Sequence, residues 1–484
     1  MSLEPLHPGA GGLTSTLVEE GLRHSEPTVE WLSNYLSNAK KVQESVRELG
    51  FRRRVRVVAE LGRIWLERLE GRALEGLKEE LVKNTGYSSA MIENDLRLAG
   101  EVLKESNIEL LIDSGLAGGW RSLDEFVEVA PGERLMNLPA GPVLIIASGN
   151  SVVPPLIPTV TSLVTGNVTI LRPSLTNYRA VREVFRPLED LAKVSEDASR
   201  LGEALVLTYL SHNSRVFEYL VKEAPVRIVN YWGGEPGRSV IARSVAENPH
   251  KPKLYVNGPL TGVAVVDGAS AGSWVAEALA REVMMYDQQL CSSPTLALLI
   301  GDYGKAVELA REVSKHLDSY SSIHRIEVSE GWMFNLATLR KALELNGAKV
   351  IRSGSPENPY TVVVSRGRSS FTGLRLVPLN IHSRRRFLEI VAVSSIDECV
   401  ELIRELPRTP GYAGIDGVQT IAIGVEDEGR RVEYIRRLSR AGVYRIVPLG
   451  ESFLRTPYEP YDGEYIPRYF TYVLYFRGRR AELK

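Results

Sequence analysis

Apolar residues along this chain change their spacing several times, and each change predicts a different kind of element. From Val29 to Leu81 they fall at threes and fours with charges between them ("VEWLSNYLSNAKKVQESVRELGFRRRVRVVAELGRIWLERLEGRALEGLKEEL"), and the first hundred residues read as helices. After Gly118-Gly119, "FVEVAPGERLMNLPAGPV" offers two short extended pieces around Pro131-Gly132, a hairpin signal. From Gly141 strands and helices alternate. "GPVLIIAS", "NVTILRPS", "ALVLTYL" and "VRIVNYWGG" are short apolar runs of the kind buried parallel strands show, separated by amphipathic stretches at 176–194 and 213–222. Tyr255–Val266 closes this block. The order β-α-β-α-β predicts an open, mostly parallel sheet with helices on both faces, an architecture that holds nucleotides at strand C-termini.

A second α/β block follows. A helix over 273–286, with Ser273 as its N-cap, leads into the loop "YDQQLCSSP" and the strand 295–301. Helices are expected at 303–317 and 332–345, and strands at "AKVIR", "TVVVS", "FLEIVAV" and "QTIAIGV". The helix after "FLEIVAV" is capped by Ser394-Ser395 and carries Cys399 as a packing residue. The last strand, in "YIPRYFTYVLYFRGRR", is apolar on both faces. Such a strand invites aggregation unless paired, and pairing with a neighbouring subunit is expected.

Composition narrows the classes. A chain of 484 residues suggests two or three domains. Its net charge of −1 argues against a broad nucleic-acid surface. The runs "RRRVR" (52–56) and "RRR" (384–386) read as solvated helix faces or local anion contacts. Residues 135–171 lack charge, but five prolines and three asparagines make them a buried strand, helix and strand rather than a membrane span. Two cysteines 108 residues apart make no disulfide framework, and no cysteine or histidine spacing suggests a metal site. The N-terminus lacks the basic start and apolar run of a signal peptide, so a cytoplasmic location is expected. Scarce glutamine (four) and an excess of arginine (45) over lysine (14) lean toward a heat-adapted source.

The candidate chemistry centres on Cys291. A thiolate nucleophile needs access, a lowered pKa and a place for the oxyanion it generates. Cys291 lies on a loop between a helix and a strand, and on local grounds it is equally a small packing residue or a presented nucleophile. The seven histidines (His7, His24, His212, His250, His316, His324, His382) are scattered. None is marked as its base, each reads as structural, and a papain-like hydrolase is not supported.

With these segments in order, the chain resembles the aldehyde dehydrogenase superfamily, and within it the acyl-CoA reductases of the bacterial bioluminescence fatty-acid reductase type. The resemblance spans roughly 120–460. It is carried by "GPVLIIASGNSVVPPLIPTVTSLVTGNVTILRPS" and "DQQLCSSP", with Gln289 two residues before Cys291 as in the family's nucleophile loop. It implies that Cys291 attacks a thioester or aldehyde carbonyl, and that Asn150 and the Cys291 backbone N–H hold the oxyanion. It also implies that Ser148, Arg172, Ser174, Gly233, Gly234 and Gly237 contact the cofactor. Arg172 replaces the usual lysine at the adenosine ribose; a guanidinium can grip a 2′-phosphate, which favours NADPH, with NADH possible. The chain departs from the hydrolytic enzymes at "LYVNG" (254–258), where Tyr255 stands in the place of the glutamate that activates water. A second departure is the missing "EIFGP" motif, around whose position stand His382 and Ser383.

The expected protein is therefore α/β, aldehyde-dehydrogenase-like, with two Rossmann-like doubly wound domains and a small β oligomerisation element. Residues 1–125 and 142–257 would bind the cofactor, 258–465 would carry the nucleophile, and 126–141 with 466–484 would be oligomerisation strands of a homodimer or homotetramer. The expected reaction is NADPH-dependent reduction of an acyl-CoA or acyl-carrier thioester, with long-chain acyl groups implied by the resemblance. The alternatives are an NAD(P)-dependent aldehyde dehydrogenase, an acyl-phosphate or semialdehyde reductase, or a catalytically degenerate cofactor-binding subunit.

Overall fold

Among the residues described by the computed structural model (2–6, 14–19, 22–355 and 357–478), the strands form four sheets. His7 and the last six residues of the 466–484 segment lie outside the described residues. The chain divides into two compact units. One comprises Met1–Asn84, Glu93–Asn257 and Thr456–Lys484, the other Thr85–Ile92 and Gly258–Arg455.

The first unit is built on five parallel strands in the order Lys253–Asn257, Ile228–Trp232, Val143–Ile146, Thr169–Arg172, Leu205–Leu207. The three central strands are apolar runs and almost wholly buried, as strands covered on both faces must be. The earliest strand of this sheet, Val143–Ile146, lies in its middle. The strand order therefore reverses beside it, and its C-terminal end opens the crevice where such sheets take ligands. The uncharged segment 135–171 resolves into that strand, the helix Val153–Val164 and the strand Thr169–Arg172. No helix among the described residues is long and apolar enough to cross a membrane.

The predicted hairpin is present as Val127–Ala130 and Glu133–Pro139. The terminal strand Thr471–Arg477 pairs antiparallel with Glu133–Pro139 of the same chain, so one of its two edges is covered internally. It remains an edge strand, and Tyr472–Phe476 stay 44–54% exposed. The reading of the first hundred residues as helices is corrected at the start. Ser2–Leu3, Thr14–Glu19 and Leu22–Pro27 form a small sheet with Leu22–Pro27 at its centre.

The second unit holds a seven-stranded sheet in the order Lys349–Arg352, Thr361–Arg366, Phe387–Val393, Pro294–Ile300, Leu260–Asp267, Gly417–Gly424, Arg445–Pro448, parallel except at its first edge. Helices Ser273–Met284 and Tyr303–Tyr320 cover one face, and Glu330–Leu345 and Ile396–Glu405 the other, each face with its own apolar core. Cys399 is fully buried in the second of these cores, and burial pushes its thiol up to about 12. Ser395 caps its helix as expected.

Three local readings are refined. Ser273 begins its helix instead of capping it, and Gly272 occupies the cap. Tyr255–Val266 is two strands, because Gly258 takes a left-handed φ of 80° and Pro259 has no N–H for a ladder. Lys253–Asn257 ends the first unit's sheet, and Leu260–Asp267 sits inside the second's. The basic runs are not simply solvated. Arg54 is fully buried against Asp124, while Arg386 is fully buried and Arg384 nearly so.

Candidate active site

In the second unit the Cys291 loop begins where helix Ser273–Met284 stops. Tyr286, Asp287 and Gln288 adopt φ of 51°, 48° and 61° in succession, three non-glycine residues in left-handed backbone. Each such residue costs about 1–2 kcal/mol. The surroundings hold them there. Asp287 is fully buried and receives a 2.7 Å hydrogen bond from Arg386 Nε; burial raises its carboxyl above the ordinary value, with the Arg386 charge pulling it back. Gln288, unexplained by the sequence, is a buried clamp. Its Nε2 donates to the carbonyls of Pro294 (2.8 Å) and Phe387 (3.1 Å), and its Oε1 accepts from Phe387 N. Gln289 Nε2 donates to the Arg384 carbonyl at 3.0 Å. Arg384 lies among the rings of Phe371, Phe387 and Tyr412. The "RRR" turn is thus the buried brace of the loop.

Cys291 is half-buried at the end of this turn, unlike Cys399. A side chain on Gly262 would overlap the Ser292 carbonyl, so only glycine lets the central strand lie so close beneath the loop. Gln419 Nε2 donates to Cys291 Sγ at 3.1 Å. Sequence reasoning missed Gln419. The available signal was scarcity, since three of the chain's four glutamines gather at this loop.

In the first unit, Asn150 and Ser148 lie on the loop after Val143–Ile146, at the crevice. Ser148 Oγ donates to Asn150 Oδ1 (2.9 Å), which fixes the amide and turns its Nδ2 hydrogens away from Ser148. The loop is pinned from below. Asn177 Nδ2 donates to the carbonyls of Ser148 (3.1 Å) and Ser151 (2.6 Å), and buried Asp95 accepts from Ser151 Oγ (2.5 Å) and Val152 N (2.8 Å). A carboxylate at the start of helix Val153–Val164 is favourably placed against its dipole. Neither Asp95 nor Asn177 was marked by the sequence. Gly149 packs so tightly on Ser174 that a Cβ would clash, which brings these two loops together at the strand ends.

The other expected cofactor residues fare unevenly. Gly233 and Gly237 wrap the Tyr231 hydroxyl, which donates to the Gly234 carbonyl at 3.0 Å. The helix that follows, Gly237–Glu247, already carries the Glu235 carboxylate on Ser239 N (3.1 Å), so an anion arriving there meets a like charge. Arg172 does not offer the free fork expected of it. It is 6% exposed, its Nε donates to the Leu210 carbonyl (2.9 Å), and its guanidinium lies over Tyr209 and Phe217. Burial lowers its pKa from the ordinary guanidinium value.

Tyr255 stacks on Tyr469 with ring centres 4.2 Å apart. The pair lines a cleft of about 490 Å³ with Arg227 and Lys253, toward the N-terminal edge of the sheet. At the C-terminal end of the same strand a carboxylate does appear: Asn257 Nδ2 donates to Asp462 at 3.3 Å, and Tyr461 packs edge-on to Trp232. Asp462 was not marked by the sequence. His382 is exposed, with a ring nitrogen 3.3 Å from the Gly414 carbonyl.

Of the sequence-marked residues, Ser148, Asn150, Arg172, Ser174 and the glycine turn belong to the first unit, and Cys291 to the second. A nicotinamide dinucleotide fits the first unit in one respect: the Ser148–Asn150 and Ser174 loops meet at a topological switch point of a parallel sheet.

A family model described as acyl-CoA reductase (LuxC) matches residues 50–470. Solved structures with the same fold include an NAD-dependent aldehyde dehydrogenase from Sinorhizobium meliloti, with a TM-score of 0.70 and 16% identity over 99% of this chain and 95% of that one. A methylmalonate-semialdehyde dehydrogenase from Oceanimonas doudoroffii gives 0.70 and 14% over 99% and 98%. An NAD-dependent benzaldehyde dehydrogenase from Corynebacterium glutamicum gives 0.66 and 13% over 96% and 93%. No curated protein sequence matches the chain.

Proposed function

Because this chain belongs to the acyl-CoA reductase (LuxC) family, within the aldehyde dehydrogenase superfamily, we propose that it reduces an acyl thioester to the aldehyde through an acyl group carried on Cys291. The observation that carries the reading is the contrast between its two thiols: Cys399 is sealed in a core, and Cys291 is half-exposed on a braced, left-handed turn. Backbone strain of this kind concentrates at functional sites.

In this reading Cys291 attacks the thioester carbonyl as the thiolate. Its sulfur forms the new C–S bond, and the carrier leaves as a thiolate, which takes up a proton from solvent. A bound nicotinamide supplies the hydride that reduces the acyl carbon. The C–S bond then breaks, aldehyde departs and the Cys291 thiolate is regenerated. Asn150, its amide oriented by Ser148, and the Cys291 N–H steady the oxyanion; one such donor is typically worth about 100- to 1000-fold in rate. Ser148, Ser174 and the Gly233–Gly234–Gly237 turn remain the proposed contacts of the nicotinamide cofactor. With Arg172 committed internally, the proposal extends to either NADPH or NADH.

The acyl source is proposed as acyl-CoA or an acyl-carrier thioester, with long-chain groups as the first to try. Tyr255 leaves its position without a carboxylate, which disfavours hydrolysis, and Asp462 is the group to watch for it. The test is an assay of the full chain with acyl-CoA, acyl phosphate and free aldehyde, each with NADPH and NADH. Cys291→Ala should abolish reduction of acyl-CoA. Activity surviving that change would refute the mechanism, and turnover of acyl phosphate alone would move the substrate to the phosphate reductases.

A further inference from the structure

Gln419 sits on strand Gly417–Gly424 at an irregularity in the ladder. Val418 pairs with Thr261 and Thr420 pairs with Gly262, so Gln419 is the extra residue of a bulge. Bulges re-aim side chains and are common beside active sites. Here the bulge lies level with Gly262, the residue beneath the nucleophile loop, and Gln419 is 1% exposed.

Both ends of its amide are used. Nε2 donates to Cys291 Sγ at 3.1 Å, while Oε1 accepts from Arg455 Nη2 at 2.7 Å and from Thr420 Oγ1 at 3.3 Å. A cation on the carbonyl oxygen makes the N–H a stronger donor, because hydrogen bonds in series polarise one another. Arg455 is itself presented by an anchored segment. Glu282 accepts from Gly450 N (2.9 Å), Ser452 N (3.0 Å) and Ser452 Oγ, while Arg445 donates to the carbonyls of Ser452 and Leu454.

We propose that Gln419 is a positioning residue for Cys291: backed by Arg455, its amide N–H holds the sulfur as the thiolate and fixes its rotamer. Thiol sulfur is a weak acceptor and thiolate a strong one, so the contact favours the charged form. The nearby charged groups on other elements are engaged elsewhere. Asp287 is paired with Arg386, Glu282 is ringed by Gly450 and Ser452, Glu389 accepts from Ser365, Ser369 and Ser370, and Arg445 holds backbone carbonyls. In this proposal Arg455 acts on the sulfur through Gln419.

The inference rests on the reading of Cys291 as a nucleophile, but its test does not use turnover. Alkylation of Cys291 by iodoacetamide in the full-length protein is followed against pH by peptide mass spectrometry. Cys399, with its thiol at about 12, should stay unlabelled through the range. Gln419→Leu and the isosteric Gln419→Glu should each move the alkylation midpoint upward by about one unit, slowing labelling at pH 7 about ten-fold and leaving the high-pH plateau unchanged. Arg455→Met should shift it in the same direction, with no added shift in a Gln419→Leu background. If Leu does not fold, Glu carries the test. Midpoints unchanged in the folded variants overturn the inference. Reductase activity persisting in Cys291→Ala would instead overturn the catalytic reading and leave the shifted thiol in place.

Discussion

At the residue scale, three of the chain's four glutamines divide the work of the Cys291 loop. Gln288 clamps the turn to strand Phe387–Val393, Gln289 ties it to the arginine turn, and Gln419 reaches the sulfur. Only Gln289 was legible in sequence, through a motif. Gln288 and Gln419 were not, because their partners are backbone carbonyls and a sulfur 99 and 128 residues away. Arg172, Arg384 and Arg386 teach the same lesson from the other side: an arginine reads as a surface or ligand-binding charge until its burial is known. Replacing Gln288 by Ala leaves two carbonyls and one N–H of the loop without partners in a dry site. It should cost about 2–4 kcal/mol in urea unfolding. A loss below about 1 kcal/mol would mean that the turn is held by Arg386 alone.

At the element scale, the regular strands and helices of both sheets were legible, since burial on both faces writes continuous apolar runs and the helices keep their 3.6-residue period. What failed was punctuation and pairing. Gly258-Pro259 separates the last strand of one sheet from a strand inside the other, within a stretch whose apolar pattern runs on across it. Three left-handed residues without a glycine end helix Ser273–Met284, and no propensity announces them. The terminal strand was recognised, but not that one of its edges pairs with Glu133–Pro139 of the same chain, since apolar faces do not name the strand alongside. The exposed side chains of that strand still ask for cover, and we propose that a second copy of the chain supplies it. Val473→Lys with Leu474→Lys, one on each face, should lower the mass measured by light scattering toward the monomer without lowering the melting temperature by more than a few degrees. A wild-type chain that is already monomeric would remove this role.

At the scale of the whole molecule, the proposed chemistry draws on one residue group from each of two α/β sheets. The first offers an oriented amide at a switch point, the second a braced thiol beside a polarised amide. Family membership over residues 50–470 assigns the chemistry to acyl and aldehyde groups. The central claim is that the acyl group passes through Cys291, and the most direct measurement needs no reduction at all. The full-length protein, incubated with a long-chain acyl-CoA and no nicotinamide, is digested and weighed. The account predicts one added acyl mass on the peptide containing Cys291, none on that containing Cys399, release of the adduct by hydroxylamine, and its discharge as aldehyde when NADPH or NADH is added. An enzyme that reduces the same acyl-CoA at full rate, yet carries no adduct on Cys291 under single-turnover conditions, would contradict it.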